Sequence, residues 1–360
     1  MSIKNPVLGL MLALIIGPQS FAFLARCENE MGQAGIGNPT PPRPKPRGKV
    51  PTPRPRPKPR EKVPEPLPAA PRADDHYKLG NKLLTEKKYQ EAENAFKAAI
   101  RIDQSKPIYH YMLGISHQNQ QEYKEAEGAY KNAIAQDQNN SIYHNRLGVA
   151  LYYQKKYAEA EAAYKKAIAI NANDDIYHNN LGNALYGQAK YAEAEAAHRK
   201  ALAINSNVAK YHNELGIVLY GQAKYAESEA AYKKALAIDS NYAVYHYNLG
   251  GALYYQKKYA EAEAAYKKAL AINSNVAMYH NDLGNALYGQ EKYAESEAAY
   301  KKAIAINSNV AMYHYHLGNA LYYQKKYAEA EAAHKKALAI DPNYTNAKEA
   351  LKKLPVKQNQ

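Results

Sequence analysis

Histidine returns every 34 residues along most of this chain, at His76, His110, His144, His178, His212, His246, His280 and His314. A row of imidazoles at fixed spacing raises the question of a metal ladder. Stacked helices pack roughly 10 Å apart, whereas zinc ligands sit about 2 Å from one ion. Equivalent histidines in successive elements therefore cannot share a metal, and they read as packing residues with a polar edge. His314 and His316 stand two apart and leave a helix on different sides. The single cysteine, Cys27, can close no intramolecular disulfide and makes no metal site alone. No nucleophile elbow, Walker loop or His-Glu-x-x-His occurs, and Gly32, Gly35 and Gly37 lie outside any strand-to-helix context. These residues point to no enzyme, no metal and no cofactor.

The histidines belong to a longer unit. A Leu-Gly pair recurs with the same period at Leu79-Gly80, Leu113-Gly114, Leu147-Gly148, Leu181-Gly182, Leu215-Gly216, Leu249-Gly250, Leu283-Gly284 and Leu317-Gly318, without insertions. With the glycine as position 8, position 17 is Tyr from Tyr89 to Tyr327 and position 27 is always Ala, as at Ala99 and Ala337. Position 20 is Ala or Ser (Ala160, Ser228), and position 24 is aromatic or His (Phe96, Tyr130, Tyr164, His198). An unbroken period of this length, with small residues inside amphipathic runs, predicts stacked helical hairpins and no single globular core. Glu at position 21 and Lys or Arg at position 25, as in Glu93/Lys97, Glu161/Lys165 and Glu297/Lys301, form the favourable i, i+4 order. They are expected on a solvated convex face.

This pattern resembles the tetratricopeptide repeat position by position over about 270 residues. The resemblance implies an all-α, right-handed superhelical solenoid of eight 34-residue helix-turn-helix repeats over 73–344, with a capping helix over 345–355 and a disordered tail over 356–360. Two departures stand out. The family's large aromatic at position 4 is His throughout, and its Pro at position 32 appears only as Pro342. Asn-Ser-Asn and Asp-Ser-Asn are expected to cap the following helix through side-chain oxygens instead. Nothing before His76 resembles a cap, so the first hairpin is expected to fray.

In this family the first helices line a concave channel, and ligands meet positions 2, 5, 6, 9, 12 and 13. Carried over, position 12 gives Tyr152, Tyr186, Tyr220, Tyr254, Tyr288 and Tyr322, and position 13 gives Tyr153, Tyr255 and Tyr323. Position 9 gives Asn81, Asn183, Asn285 and Asn319, and Asn180-Leu181-Gly182-Asn183 is similar to the asparagine-ladder motif of the O-linked GlcNAc transferase repeats. An amide donates and accepts at once, so it can hold a peptide bond whatever the side chain, and Tyr adds rigid amphipathic surface. The alternative role for these tyrosines is packing between neighbouring first helices. A clamp for a C-terminal carboxylate is disfavoured, since only Lys78, Arg146 and Lys210 fall at its positions.

The net charge of +14 is uneven: residues 1–72 hold 12 Lys/Arg against 4 Asp/Glu. The basic excess therefore belongs mostly to a tail, and no specific nucleic-acid partner is implied. Residues 1–26 combine Lys4, an apolar run from Val7 to Ile16, and Ser20 and Ala22 before a cut, the layout of a secretory signal. An uncleaved anchor, or a lipoprotein signal ending at Cys27, are the alternatives, and each exports the repeats. Residues 27–72 read as a disordered linker rich in Pro, Arg and Lys. Its block Pro42–Pro51 recurs over Pro55–Pro64, and alternating proline and cation favours a polyproline II rod. The whole reads as a non-enzymatic scaffold, periplasmic or extracellular and membrane-anchored in one reading, that binds extended polypeptide segments and assembles an envelope complex. The alternatives are a spacer whose strip at 42–62 binds anionic wall polymer or lipid, and a glycan-binding groove.

Overall fold

The computed structural model describes residues 72–355. The signal or anchor read over 1–26, the linker up to residue 71 and the tail at 356–360 lie outside them. The described residues form 17 helices and no strand. Each repeat is a hairpin: α1 (Ala73–Thr85) with α2 (Tyr89–Ile102), α3 (Pro107–Asn119) with α4 (Tyr123–Gln136), α5 (Ser141–Tyr153) with α6 (Tyr157–Ile170), and α7 (Asp175–Gly187) with α8 (Tyr191–Ile204). The series continues with α9 (Ala209–Gly221) and α10 (Tyr225–Ile238), α11 (Ala243–Tyr255) and α12 (Tyr259–Ile272), α13 (Ala277–Gly289) and α14 (Tyr293–Ile306), and α15 (Ala311–Tyr323) and α16 (Tyr327–Ile340). A short α17 (Thr345–Lys352) closes the stack, burying Ala347 and laying Leu354 against the last core cluster. Each helix packs on its neighbours in sequence, so the fold is a helical solenoid with a continuous core.

The glycine of each repeat is required by a close approach. A Cβ on Gly148 would stand 2.5 Å from the ring of Tyr164, and one on Gly182 would stand 2.6 Å from His198. The aromatic residue at position 24 therefore lies directly on the backbone of the first helix. Alanines at positions 20 and 27, such as Ala160 and Ala167, are fully buried beside it.

The turn inside every hairpin places position 15 in the left-handed region, with φ between 58° and 63° at Lys87, Gln121, Lys155, Ala189, Ala223, Lys257, Glu291 and Lys325. None is glycine, so each turn carries backbone strain that the flanking helices hold in place. The next amide closes the turn, as where Lys224 N donates to Leu219 O at 2.9 Å.

Between repeats the expected helix capping is mostly replaced. Among the described residues only the Asp174 N-cap side chain accepts from the first amides of its helix, those of Ile176 and Tyr177. Elsewhere the side chain of position 31 turns back within the loop, as where Asn205 Oδ1 accepts from Asn207 N at 3.3 Å and Asp239 Oδ1 from Asn241 N at 3.0 Å. These are Asx turns. The histidine of position 4 secures the same loop. His144, His178, His212, His246, His280 and His314 each place Nε2 2.9–3.0 Å from the carbonyl of the residue six before. That carbonyl belongs to position 32, so the imidazole clasps the turn that the family's proline would stiffen. The first hairpin is also better anchored than expected: Asp75 Oδ2 accepts the Arg72 amide at 3.1 Å, and the Tyr109 hydroxyl donates to Asp74 at 2.6 Å.

The Glu-Lys pairs of positions 21 and 25 are not a purely solvated face. Glu161 is 8% exposed; it accepts Lys165 at 2.6 Å and, from the next repeat, Gln188 at 2.8 Å and Lys190 at 2.9 Å. The arrangement recurs at Glu127, Glu195, Glu229, Glu263 and Glu297. These carboxylates bolt each repeat to its successor. The cations and amides around them hold Glu127, Glu161, Glu229, Glu263 and Glu297 down to about 2, against the desolvation of burial.

Candidate functional site

First helices of successive repeats touch one another along the described stack, as α9 touches α11 and α11 touches α13. Second helices are more widely spaced, so the first helices form the inner side of the curve. Positions 5, 6, 9 and 12 of these helices share that side, because residues three and four apart share one helical face.

A chain of polar contacts runs down it, one per interface from the third repeat to the eighth, between position 5 of one repeat and position 6 of the next. Asn180 donates to Asn145 at 3.0 Å, and Asn179 donates to Glu214. Asn248 donates to Asn213 at 2.9 Å, Tyr247 to Asp282 at 2.7 Å, and His316 Nδ1 stands 2.9 Å from Asn281 Oδ1. Asn179, Asn213 and Asn281 are buried, which makes these bonds costly to leave unmade. Reasoning from position 9 alone missed this ladder. Its signal was present, since position 5 is Asn or Tyr in every repeat and position 6 is polar in every repeat from the third on.

The asparagines read as ligand contacts are half-buried, and three of them are already engaged with it. Asn180 is a rung itself. Asn183 donates to Glu214 at 3.3 Å; Asn285 donates to Asp282 at 3.2 Å and accepts from Tyr300 at 2.7 Å. Asn319 is half-buried on the same face, and Asn81 keeps a buried Oδ1 without a partner. The face carries two carboxyl groups two repeats apart, Glu214 and Asp282, both raised by burial. Glu214 Oε2 is buried and unpartnered, although Lys210 approaches its other oxygen at 3.9 Å.

The tyrosines divide into two groups. Tyr152, Tyr186, Tyr220, Tyr254, Tyr288 and Tyr322 are half-buried, each meeting the position-17 tyrosine of its own repeat, as where Tyr186 and Tyr191 have ring centroids 5.6 Å apart. Burial pushes the Tyr186 and Tyr254 phenols up to about 12, so they are neutral donors at physiological pH. Tyr153, Tyr255 and Tyr323 instead stack face to face on Tyr123, Tyr225 and Tyr293 of the preceding repeat, at 4.8, 5.1 and 5.0 Å. Where position 13 is glycine, the preceding tyrosine lies over its backbone: a Cβ on Gly187 or Gly289 would meet Tyr157 or Tyr259 at 2.9 Å. Position 13 thus contributes to packing between repeats, while Tyr323 remains 54% exposed.

The arrangement offers an inner surface of phenols and amides, with the buried carboxyl of Glu214 and the half-buried one of Asp282. No helix among the described residues is long and apolar enough to cross a membrane.

Models of the tetratricopeptide repeat match residues 76–106, 111–175, 179–210, 207–275, 241–309 and 281–345. No curated protein matches the chain. Among solved structures, the C-terminal part of a TPR repeat-containing protein from Cytophaga hutchinsonii is similar at 22% identity and TM-score 0.56, over 68% of this chain and 99% of that one. Pseudomonas aeruginosa pilF is similar at 21% identity and TM-score 0.51, over 58% of this chain and 95% of that one. The APC/C hetero-tetramer Cut9-Hcn1 matches at 15% identity and TM-score 0.54, over 78% of this chain and 55% of that one. At these identities the likeness shows the fold alone.

Proposed function

Because the chain belongs to the tetratricopeptide-repeat family, we propose that it is a scaffold holding extended polypeptide segments along the inner side of the stack. Proteins of this family are in general non-enzymatic scaffolds for protein–protein interaction. The observation that carries the finer reading is the row of half-buried tyrosines at position 12, flanked by Asn183, Asn285 and Asn319 and held by the rungs beneath. Such a surface is preformed, so little ordering entropy is lost by the protein when a peptide docks. Amides grip a peptide backbone irrespective of sequence, and phenol rings cover its apolar side chains.

The layout of residues 1–26 supports placing this scaffold outside the cytoplasm, periplasmic or extracellular, within an envelope complex. Selection of short unstructured peptides against the full-length chain tests the reading. Retained peptides should compete with one another and lose affinity when inner-face asparagines are replaced. Retention that disappears with deletion of 42–62 and ignores the inner face would favour the spacer whose Pro-cation strip holds an anionic polymer or lipid.

A further inference from the structure

The first interface breaks the pattern of the other six in two places at once. Position 11 is Leu in every repeat except the second, where it is His117. Position 16 is Lys in every repeat except the second, where it is Glu122. Elsewhere that lysine neutralises the position-21 glutamate of the preceding repeat, as Lys156 does for Glu127 at 2.9 Å. Here Glu93 meets a second carboxylate instead, and an imidazole stands between the two. His117 Nδ1 is 2.7 Å from Glu122 Oε2 and 3.7 Å from Glu93 Oε2. Leu-to-His and Lys-to-Glu together replace an apolar contact and a cation with two potential ligands beside Glu93, the three lying within 4.8 Å of one another.

We propose that Glu93, His117 and Glu122 form a binding site for a divalent transition-metal ion of the zinc class, joining the first repeat to the second. The donor set, one imidazole nitrogen and two carboxylate oxygens, suits such an ion better than calcium, which takes six or more oxygens. Bonds of about 2.0–2.2 Å need ligand atoms roughly 3–3.5 Å apart, and the present separations bracket that range. Glu93 and His117 are each 6% exposed and fixed by the helices α2 and α3. Glu93 is oriented by Lys97, which donates to Oε1 at 2.6 Å, and by Gln90 and Gln120, whose amides donate to Oε2 at 3.1 and 3.0 Å while that oxygen also faces the imidazole. Glu122, at the start of α4, is partly exposed with a side-chain exposure of 41%. It gives the ion an entry path and leaves remaining coordination positions to water. A bound ion would do for this interface what the lysine does for the others. The site lies away from the tyrosine row, so it stands independently of the peptide reading.

The test is calorimetric titration of tag-free, full-length protein with Zn2+, alongside thermal unfolding with and without the ion. The proposal expects one saturable site and an unfolding midpoint raised by Zn2+ and restored by chelator. Glu122→Lys and His117→Leu each reinstate the residue found at the other interfaces, so both should fold. Each should weaken binding by at least about tenfold and abolish the midpoint shift. A wild-type protein that takes up no stoichiometric Zn2+ would overturn the proposal, leaving His117 as an ion-pair partner of the two carboxylates. Binding that survives unchanged in both variants would overturn it equally, placing the ion on other histidines.

Discussion

Asn248 donates to Asn213 at 2.9 Å across the junction of the fifth and sixth repeats, a bond spanning 35 residues of sequence. One-residue offset between donor and acceptor positions lets each first helix read the next. The same offset joins Asn281 to His316 two repeats further on. Register between repeats is thus fixed by directional bonds as well as by packing.

This relationship predicts the outcome of a deletion. Removing residues 243–310 takes out two whole repeats and brings Asn213 opposite His316, the pair type now made by Asn281 and His316. It also brings Tyr225 opposite Tyr323, restoring the stack that Tyr225 makes with Tyr255. The shortened protein should fold cooperatively with unfolding that follows nearest-neighbour behaviour and a modestly lower midpoint. Denaturant unfolding followed by circular dichroism checks this, and a collapsed fold would refute it.

Truncating a rung should cost more than a surface change. Asn281 is fully buried and bonded to both Asp282 and His316. Asn281→Leu should destabilise by about 1–3 kcal/mol, the cost of leaving buried polar groups unpaired. Lys268→Ala, on an exposed position of α12, should change stability by less than about 0.5 kcal/mol. Chemical denaturation of the two variants separates these values.

The left-handed turns give a stabilising prediction. Ala189 and Ala223 both have φ of 59°. Glycine adopts that conformation without a Cβ penalty, which is about 1–2 kcal/mol, offset in part by its greater freedom when unfolded. Ala189→Gly and Ala223→Gly should together raise stability, with helical content unchanged. A lower midpoint in the double variant would show that the turn carries no strain.

Acid should weaken the fold in two stages. Burial holds His198 down to about 3 and His316 and His334 down to about 4, below the ordinary imidazole value of 6.5. Groups depressed in the fold contribute stability above the unfolded value and lose it as pH falls from about 6.5 toward 4. Below about 4.5 the inter-repeat glutamates, held near 2, begin to lose theirs. Glu214 and Asp282, raised by burial, act in the opposite sense and soften the first stage. The unfolding midpoint should be lower at pH 5 than at pH 7.5. Five of the other repeats carry Tyr at position 24, so His198→Tyr with His334→Tyr should flatten this slope.

Much of the solenoid was legible because its determinants are local and periodic: Gly148 needs an aromatic partner, and Tyr164 follows at the same spacing every time. The inter-repeat bonds were harder to read, because they join residues such as Tyr247 and Asp282 that belong to different repeats and vary in type from one interface to the next. The row of position-4 histidines drew attention by its regularity, yet the six from His144 to His314 each hold a loop carbonyl. His117, at position 11 and outside that row, stands between the carboxylates of Glu93 and Glu122. Position 13 likewise read as a ligand contact, with packing as the alternative, and the stacking of Tyr225 on Tyr255 shows what that residue packs against.

The central claim is that extended peptide lies along the inner face. Its most direct test is the affinity of a selected peptide for the full-length protein carrying Asn183→Ala, Asn285→Ala and Asn319→Ala. Each lost amide contact is worth about 0.5–1.5 kcal/mol, so binding should weaken by roughly ten- to two-thousandfold. Because Asn183 and Asn285 also serve Glu214 and Asp282, some stability should be lost with it, while helical content at working temperature stays the same. Lys268→Ala with Lys302→Ala, on the outer side, should leave the affinity unchanged. An unaltered affinity in the triple variant, or an equal loss in the outer pair, would contradict the account.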